Sequence, residues 1–193
     1  RTKGFGVMIS TADFRNGMIL ELDGDLMQII DFQHVKPGKG GAFVRTKLKN
    51  ILTGRVQDKT YRSGERFEEA RVEEQPWQYL YTDGDIYYFM DNNTYEQREV
   101  SASAVGEQAD WMTENMDVTL LVHKGTVLDV RVPPHVELAI THTEPGVQGD
   151  RSSGATKAAT LESGATVQVP LFMNEGDVIK VDTRTGEYIT RVN

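Results

Sequence analysis

The chain of 193 residues contains no cysteine. Disulfide frameworks, thiolate zinc sites and cysteine nucleophiles are therefore excluded, and a reducing cytoplasm is the simplest home. No apolar run approaches the ~18 residues of a membrane span. The opening run Arg1-Thr2-Lys3-Gly4-Phe5-Gly6-Val7 is charged and lacks an apolar stretch of ~7–15 residues, so it does not read as a secretory signal. Recognisable catalytic motifs are missing too. The four histidines, His34, His123, His135 and His142, share no metal-ligand spacing such as H-E-x-x-H. There is no G-x-S-x-G elbow. There is also no Walker loop, since Gly38-Lys39-Gly40 has neither its spacing nor its hydroxyl. Asp83, Asp85 and Asp91 can be written as paired carboxylates or a calcium site, but hairpin-turn chemistry accounts for them more simply. No catalytic residue, metal site or cofactor is expected.

What is present fits a folded protein. Hydrophobic residues make up 38%, and 18 glycines bring the total near the soluble range of about 45–50%. Length divided by a domain of about 150 residues permits one to three compact units. The net charge of −8 is unevenly spread. Residues 1–71 hold 13 basic and 9 acidic side chains, net +4; residues 72–134 hold 3 and 12, net −9; residues 135–193 hold 5 and 8, net −3. Within 36–62, Lys36, Lys39, Arg45, Lys47, Lys49, Arg55, Lys59 and Arg62 face only Asp58 in sequence. A basic head on an acidic body points to a polyanion partner at the N-terminal end.

Strand signals dominate. Residues 27–35 and 42–49 read as partner strands joined by the Pro/Gly loop Lys36-Pro37-Gly38-Lys39-Gly40-Gly41. Period-two alternation puts Val44, Thr46 and Leu48 on one face and Phe43, Arg45, Lys47 and Lys49 on the other. The acidic stretch Glu65 to Glu74 marks a first boundary near residue 71. Residues 77–81 and 86–90 flank Asp83-Gly84 as a second hairpin, with Tyr79, Tyr81, Tyr87 and Phe89 expected in its core. One helix is expected over about 104–112, capped by Ser101 or Ser103. A third hairpin, 118–132, ends at Pro133-Pro134, the second boundary. Strands are then expected at 136–143, 166–169, 177–182 and 187–192. Short strands with one helix over ~60 residues suit small Greek-key barrels, which often bind oligonucleotides.

Lys39 stands out. Glycines on both sides, with a third following, remove side-chain crowding and permit φ > 0. The lysine is expected at the tip of a thin, bare finger projecting from the one basic region.

These features together resemble bacterial elongation factor P. The resemblance runs from Met8 to the end, so residues 1–7 are expected to be a native extension or an expression remnant. It rests on Asp13-Phe14-Arg15-x-Gly17, Val35-Lys36-Pro37-Gly38-Lys39-Gly40, Tyr79-Leu80-Tyr81-x-Asp83-Gly84 and Phe89-Met90-Asp91. Further on come Val132-Pro133-Pro134, Glu144-Pro145-Gly146-x-x-Gly149-Asp150, Val169-Pro170-Leu171-Phe172 and the run from Gly176 to Tyr188. The resemblance implies an all-β fold of three small barrels in an L shape. An SH3-like, KOW-type barrel over 8–71 carries the Lys39 loop, and two OB-folds follow, an acidic one over 72–134 and a C-terminal one over 135–193. It implies a monomeric, cytoplasmic, non-enzymatic translation factor. Such a factor binds both ribosomal subunits between the P and E sites beside peptidyl-tRNA, stimulates peptide-bond formation and relieves stalling at consecutive prolines.

Residue roles also follow from the resemblance. Lys39 contacts the CCA end of the tRNA and is the target of a lysine-modifying enzyme, on a loop of Lys36, Pro37, Gly38, Gly40 and Gly41. Arg45, Lys47 and Lys49 form an RNA-phosphate face. Tyr188 and Arg191 bind the ribosome, and a strand would put them on opposite faces. Gly149, Asp150 and Arg151 lie near the E-site mRNA codon; Arg151 replaces the threonine common in that motif. An elongation factor P-like paralogue and a free-standing OB-fold protein for single-stranded nucleic acid are the alternative readings. The net charge of −9 over 72–134 opposes the second.

Overall fold

The computed structural model describes residues 6–146 and 154–193. They fold into three antiparallel sheets. The first contains β1 (Val7–Ser10), β2 (Ile19–Leu22), β3 (Asp25–Val35), β4 (Phe43–Asn50), β5 (Val56–Arg62) and β6 (Arg66–Glu69), in the spatial order β1-β6-β2-β3-β4-β5. The second contains β7 (Glu73–Thr82), β8 (Ile86–Asp91), β9 (Gln97–Ser101), β10 (Asp117–His123) and β11 (Thr126–Arg131), in the order β11-β10-β7-β8-β9. The third contains β12 (His135–Thr143), β13 (Thr156–Leu161), β14 (Thr166–Pro170), β15 (Val178–Asp182) and β16 (Glu187–Arg191), in the order β14-β13-β12-β15-β16.

Each sheet curls around its own apolar core. Strand alternation supplies the first from Leu20, Met27, Ile29, Val44 and Leu48, joined by Ile9, Phe14 and Phe67. The second uses Trp77, Tyr79, Phe89, Leu120 and Val130. The third uses Leu138, Ile140, Leu161, Val167, Val169, Met173, Ile179 and Val181. The chain divides into two compact units. One runs to Glu73 and takes in Val122–Leu128; the other holds Glu74–Leu121 and Asp129–Asn193. In the first unit the His123 ring sits with Nδ1 2.7 Å from the Arg71 carbonyl and Nε2 3.0 Å from Glu21 Oε1. In the second, Trp111 and Met116 pack against the core of the third sheet.

The expected helix is shorter and earlier than its sequence signal. A single α-turn, α1 (Ala102–Val105), is capped by Ser101, whose Oγ accepts from the Ala104 N–H at 3.4 Å. Gly106 then turns at φ +60°, and residues 106–111 continue as a 3-10 turn. A positive φ interrupts the i→i−4 ladder, which is why the helix stops there.

Two strand assignments also shift. The acidic stretch read as a boundary contains β6, which pairs with β1 and β2 and buries Phe67. β13, Thr-Lys-Ala-Ala-Thr-Leu, has Lys and two Ala, weak strand formers, at its centre and pairs with both β12 and β14. Tyr81 departs from the expected core. The β7–β8 register slips between Tyr79↔Phe89 and Tyr81↔Tyr88, so Leu80 is the extra residue of a bulge. Tyr81 swings outward, 49% exposed, and stacks on Tyr88 at 4.6 Å, while Tyr79 and Phe89 stay inside and Tyr87 is half-buried.

Leu20 and Leu48 are fully buried in a shared core. Leu48→Ala is expected to destabilise the first barrel by about 2.7–5 kcal/mol, read as a lowered denaturation midpoint. A loss below about 1 kcal/mol would mean the site collapses around the deletion.

Candidate functional site

The site is built on the β3–β4 hairpin. The ladder runs from Met27↔Asn50 to Val35↔Phe43, with a slip between Ile29 and Asp31. That bulge, at Ile30, switches the inward parity of β3. Ile29 faces inward opposite Leu48, and beyond the slip Phe32 faces inward opposite Thr46. On β4 the alternation holds as expected: Val44, Thr46 and Leu48 are buried, and Arg45, Lys47 and Lys49 are exposed. The buried Thr46 hydroxyl donates to the Lys59 carbonyl at 2.7 Å, so no polar group is stranded beneath the cationic face.

Residues 36–42 connect the strands. Lys36, Gly38, Lys39, Gly40 and Gly41 are exposed and Pro37 is half-buried. Only Gly40 takes a positive φ, +101°; Gly38 and Gly41 do not, so conformational need explains one glycine of three. A Cβ added at Gly38, Gly40 or Gly41 would meet no atom within 4 Å. The three glycines therefore keep the loop tip bare. The Ser63 N–H, donating to the Ala42 carbonyl at 3.0 Å, fastens the loop's far end. At its foot lies a hollow of about 390 Å³ lined by His34, Val35, Lys36, Ala42, Phe43 and Ser63. Sequence reading missed this hollow. Ser63 is about twenty residues from Phe43, and only the pairing of β4 with β5 brings them together.

Register also redistributes the charge. Lys47 lies between Asp31 and Asp58 on the neighbouring strands, whereas Arg45 lies between Gln33 and Thr60. Asp31 joins the cationic face from outside the 36–62 run. Positive potential is therefore least offset at the loop end, where Lys36, Lys39, Arg45 and Arg62 gather. The Arg45 guanidinium also sits over the Phe43 ring at 5.5 Å. Among the described residues, none of these four cations forms an ion pair.

The other expected residues lie elsewhere. The β15–β16 register pairs Val181 with Tyr188 and Ile179 with Arg191, and slips between Lys180 and Val181. Ile179 and Val181 share one face, so the bulge carries Tyr188 and Arg191 to that same face rather than to opposite ones. Tyr188 packs half-buried on the core, and Arg191 Nη2 pairs with Asp177 Oδ1 at 3.2 Å. Gly149, Asp150 and Arg151 fall outside the described residues. Asp83 accepts from the Asp85 and Ile86 N–H groups at 3.0 and 2.8 Å, and Asp91 from Asn93 at 2.8 Å, both as turn-closing side chains. The Ile86 and then the Asp85 bond hold the Asp83 carboxyl below its ordinary value. Among the described residues no three His, Asp or Glu side chains gather as metal donors.

Comparison with known proteins follows the same order along the chain. The model of the elongation factor P KOW-like domain matches residues 10–67. That of the elongation factor P OB domain matches 72–130, and that of the elongation factor P C-terminal domain 136–191. Elongation factor P of Kocuria rhizophila is 56% identical over 186 residues, 96% of this chain and 100% of that one. Elongation factor P of Mycolicibacterium smegmatis matches with the same identity and coverage. Among solved structures, eukaryotic translation initiation factor 5A from Methanococcus jannaschii superposes with a TM-score of 0.52 at 21% identity. It covers 65% of this chain and 97% of that one, a likeness of fold. A KOW-like barrel followed by OB barrels, with these relatives, defines a translation elongation factor. The chain belongs to the elongation factor P family.

One electrostatic prediction arises beside Tyr188. Arg184 donates from Nε at 3.2 Å and Nη2 at 3.0 Å to the Asp182 carboxylate, and its backbone N–H donates at 2.8 Å. These side-chain bonds first, then the backbone bond, lower the Asp182 carboxyl from 3.8 to about 2. A depressed folded pKa stabilises the fold above the unfolded value. The contribution is thus fully present above about 3.8 and lost as pH falls through about 2. Carboxyl NMR should show Asp182 titrating near 2, and Arg184→Ala should move the midpoint upward. An unmoved midpoint would remove Arg184 as the cause.

Proposed function

We propose that the chain acts on the ribosome between the P and E sites, beside peptidyl-tRNA. There it stimulates peptide-bond formation and relieves stalling at consecutive prolines. The observation that carries this reading is Lys39: exposed, without a carboxylate partner among the described residues, on a loop whose glycines have no atom close to them, within the basic segment of a chain acidic elsewhere. Lys39 reaches toward the CCA end of the tRNA, with Lys36, Pro37, Gly38, Gly40 and Gly41 as its mount. Arg45, Lys47 and Lys49 meet acceptor phosphates. Lys39 is also accessible to a lysine-modifying enzyme, and a lengthened side chain reaches further.

The chemistry stays with the ribosome; the factor supplies orientation and is neither an enzyme nor a cofactor carrier. Proline is a secondary-amine nucleophile with fixed φ, so it reacts slowly unless the donor end is well placed. Acidic second and third barrels avoid nonspecific RNA, leaving placement to shape and a few contacts. We assign the barrels to 8–71, 72–134 and 135–193, in a cytoplasmic monomer. Gly149, Asp150 and Arg151 are assigned to the E-site codon, and Tyr188 and Arg191 to ribosome binding.

Lys39→Ala is expected to change stability by less than about 0.5 kcal/mol, because the residue is exposed. The same change should impair translation of a three-proline reporter and leave an ordinary reporter nearly intact, whereas Lys36→Ala should act more weakly on both. Rescue of the three-proline reporter by Lys39→Ala as well as by wild type would end the assignment. For the distal contact, Arg191→Ala and Tyr188→Ala should each lower co-sedimentation with ribosomes. Since both side chains also brace the third barrel, circular dichroism must first show that fold intact. Unchanged co-sedimentation in both variants would remove these residues from the site.

A further inference from the structure

The turn joining β10 to β11 is held within the first unit by a buried histidine that takes no part in the proposed role of Lys39. Lys124 and Gly125 form this two-residue turn, both at positive φ, +48° and +80°. Positive φ at both central residues gives the hairpin turn whose twist matches its strands. Val122–Leu128 belong to the first compact unit, and Val122, His123 and Leu128 are buried there. His123 Nδ1 lies 2.7 Å from the Arg71 carbonyl oxygen, in the segment after β6. On the other side of the ring, Nε2 lies 3.0 Å from Glu21 Oε1 on β2. The side chain of His123 is 9% exposed, and that of Glu21 is 23% exposed.

Neither oxygen can donate. A backbone carbonyl accepts only, and so does an ionised carboxylate. Neutral imidazole has one N–H and one lone pair. It therefore answers one of these oxygens and turns a lone pair toward the other. A ring protonated at both nitrogens donates to both, and its bond to Glu21 becomes a charged one. The charge around the ring points the same way. Glu21 stands opposite Glu68 on β6, a like-charged neighbour in the ladder. The Glu68 carboxylate accepts from the Gly6 N–H at 3.1 Å. Lys124, in the ring's own turn, brings Nζ to 3.5 Å from the same Glu21 oxygen, but its side chain is 68% exposed. Arg71 presents its carbonyl to the ring. The nearly buried cation that Glu21 can gain is His123 itself.

We propose that His123 is a proton-operated latch. Protonated at both nitrogens, it fastens the β10–β11 turn to β2 and to the segment after β6. Loss of one proton leaves a lone pair against one of the two oxygens and loosens the turn. The bridge is complete in the charged ring, so this hold is present at low pH and lost as pH rises. Lys124 adds a second, exposed tie to Glu21, worth less than the buried one. The turn is therefore loosened by deprotonation while one tie persists.

The test uses the full chain at about pH 5.5 and about pH 8.5, on either side of the ordinary histidine value of about 6.5. Proton NMR should show two ring N–H signals from His123 at the lower pH and one at the higher. Amide exchange over 122–126 is measured in parallel and corrected for the intrinsic rate at each pH. Protection there should fall at least about threefold at the higher pH, the scale of one net hydrogen bond. Amides of β14, in the other unit, should keep the same corrected protection at both. His123→Gln, which keeps a donor and cannot gain a proton, should remove the difference. Glu21→Gln, which keeps an acceptor and removes the charge, should reduce it, and it carries the test where His123→Gln does not fold. A single ring N–H at the lower pH, equal protection of 122–126 at both, a like fall in β14, or an undiminished difference in Glu21→Gln would each overturn the proposal. Lys39 and its loop are untouched by every variant, so failure here leaves the reading of Lys39 standing.

Discussion

The β3–β4 ladder is the constraint on which the rest of the first barrel depends. Its alternation places Val44, Thr46 and Leu48 in the core and Arg45, Lys47 and Lys49 outside. A slip of one residue would exchange the two sets, burying three cations and exposing the core. Apolar burial on one side thereby fixes the cationic face on the other. The bulge at Ile30 lets β3 serve the same core on both sides of the slip, through Ile29 and then Phe32. The register ends at Val35↔Phe43, so the same ladder that builds the core also sets where the Lys39 finger begins.

Charge is organised at two scales. Along the chain, a net +4 head precedes segments of −9 and −3. Across the sheet, Asp31 and Asp58 flank Lys47, leaving the less compensated cations at the loop. The first scale suits an encounter with a polyanion by long-range steering, and the second concentrates the contact at one end of the hairpin. Gly38 and Gly41 contribute by the side chains they lack, and Gly40 by its conformation. The acidic second unit handles charge differently. There Arg131, Arg184 and Arg191 pair with Glu74, Asp182 and Asp177, while Glu114 and Glu162 line the hollow beside Tyr79.

The outcome at particular residues shows how far a pattern read along the chain can go. The two hairpins with strong turn chemistry, at Pro37-Gly38 and Asp83-Gly84, form as expected, because turn type and flanking strands are encoded within a few residues. Ser101 caps the helix as expected, yet Gly106 halts it after one turn. β6 and β13 escaped notice because their own propensity is low and their stability comes from neighbours far along the chain. The core placement of Tyr81 and the opposite faces expected for Tyr188 and Arg191 fail for one shared reason. A bulge adds one residue, shifts the parity of the strand, and leaves no reliable mark in composition.

By itself the sequence determined the all-β class, the basic head and the exposure of Lys39. Each of these follows from local periodicity, local charge or the absence of side chains in the loop. Only the tertiary structure decided which residues stand beside them. Asp31 faces Lys47, and Ser63 closes the hollow under the loop. Arg191 is braced on Asp177, and Tyr79 meets Glu114 and Ser163 around one hollow. The physical reason is the same in each case. Strand register, bulges and the return of distant strands to a shared sheet set these distances, and they depend on all partners at once.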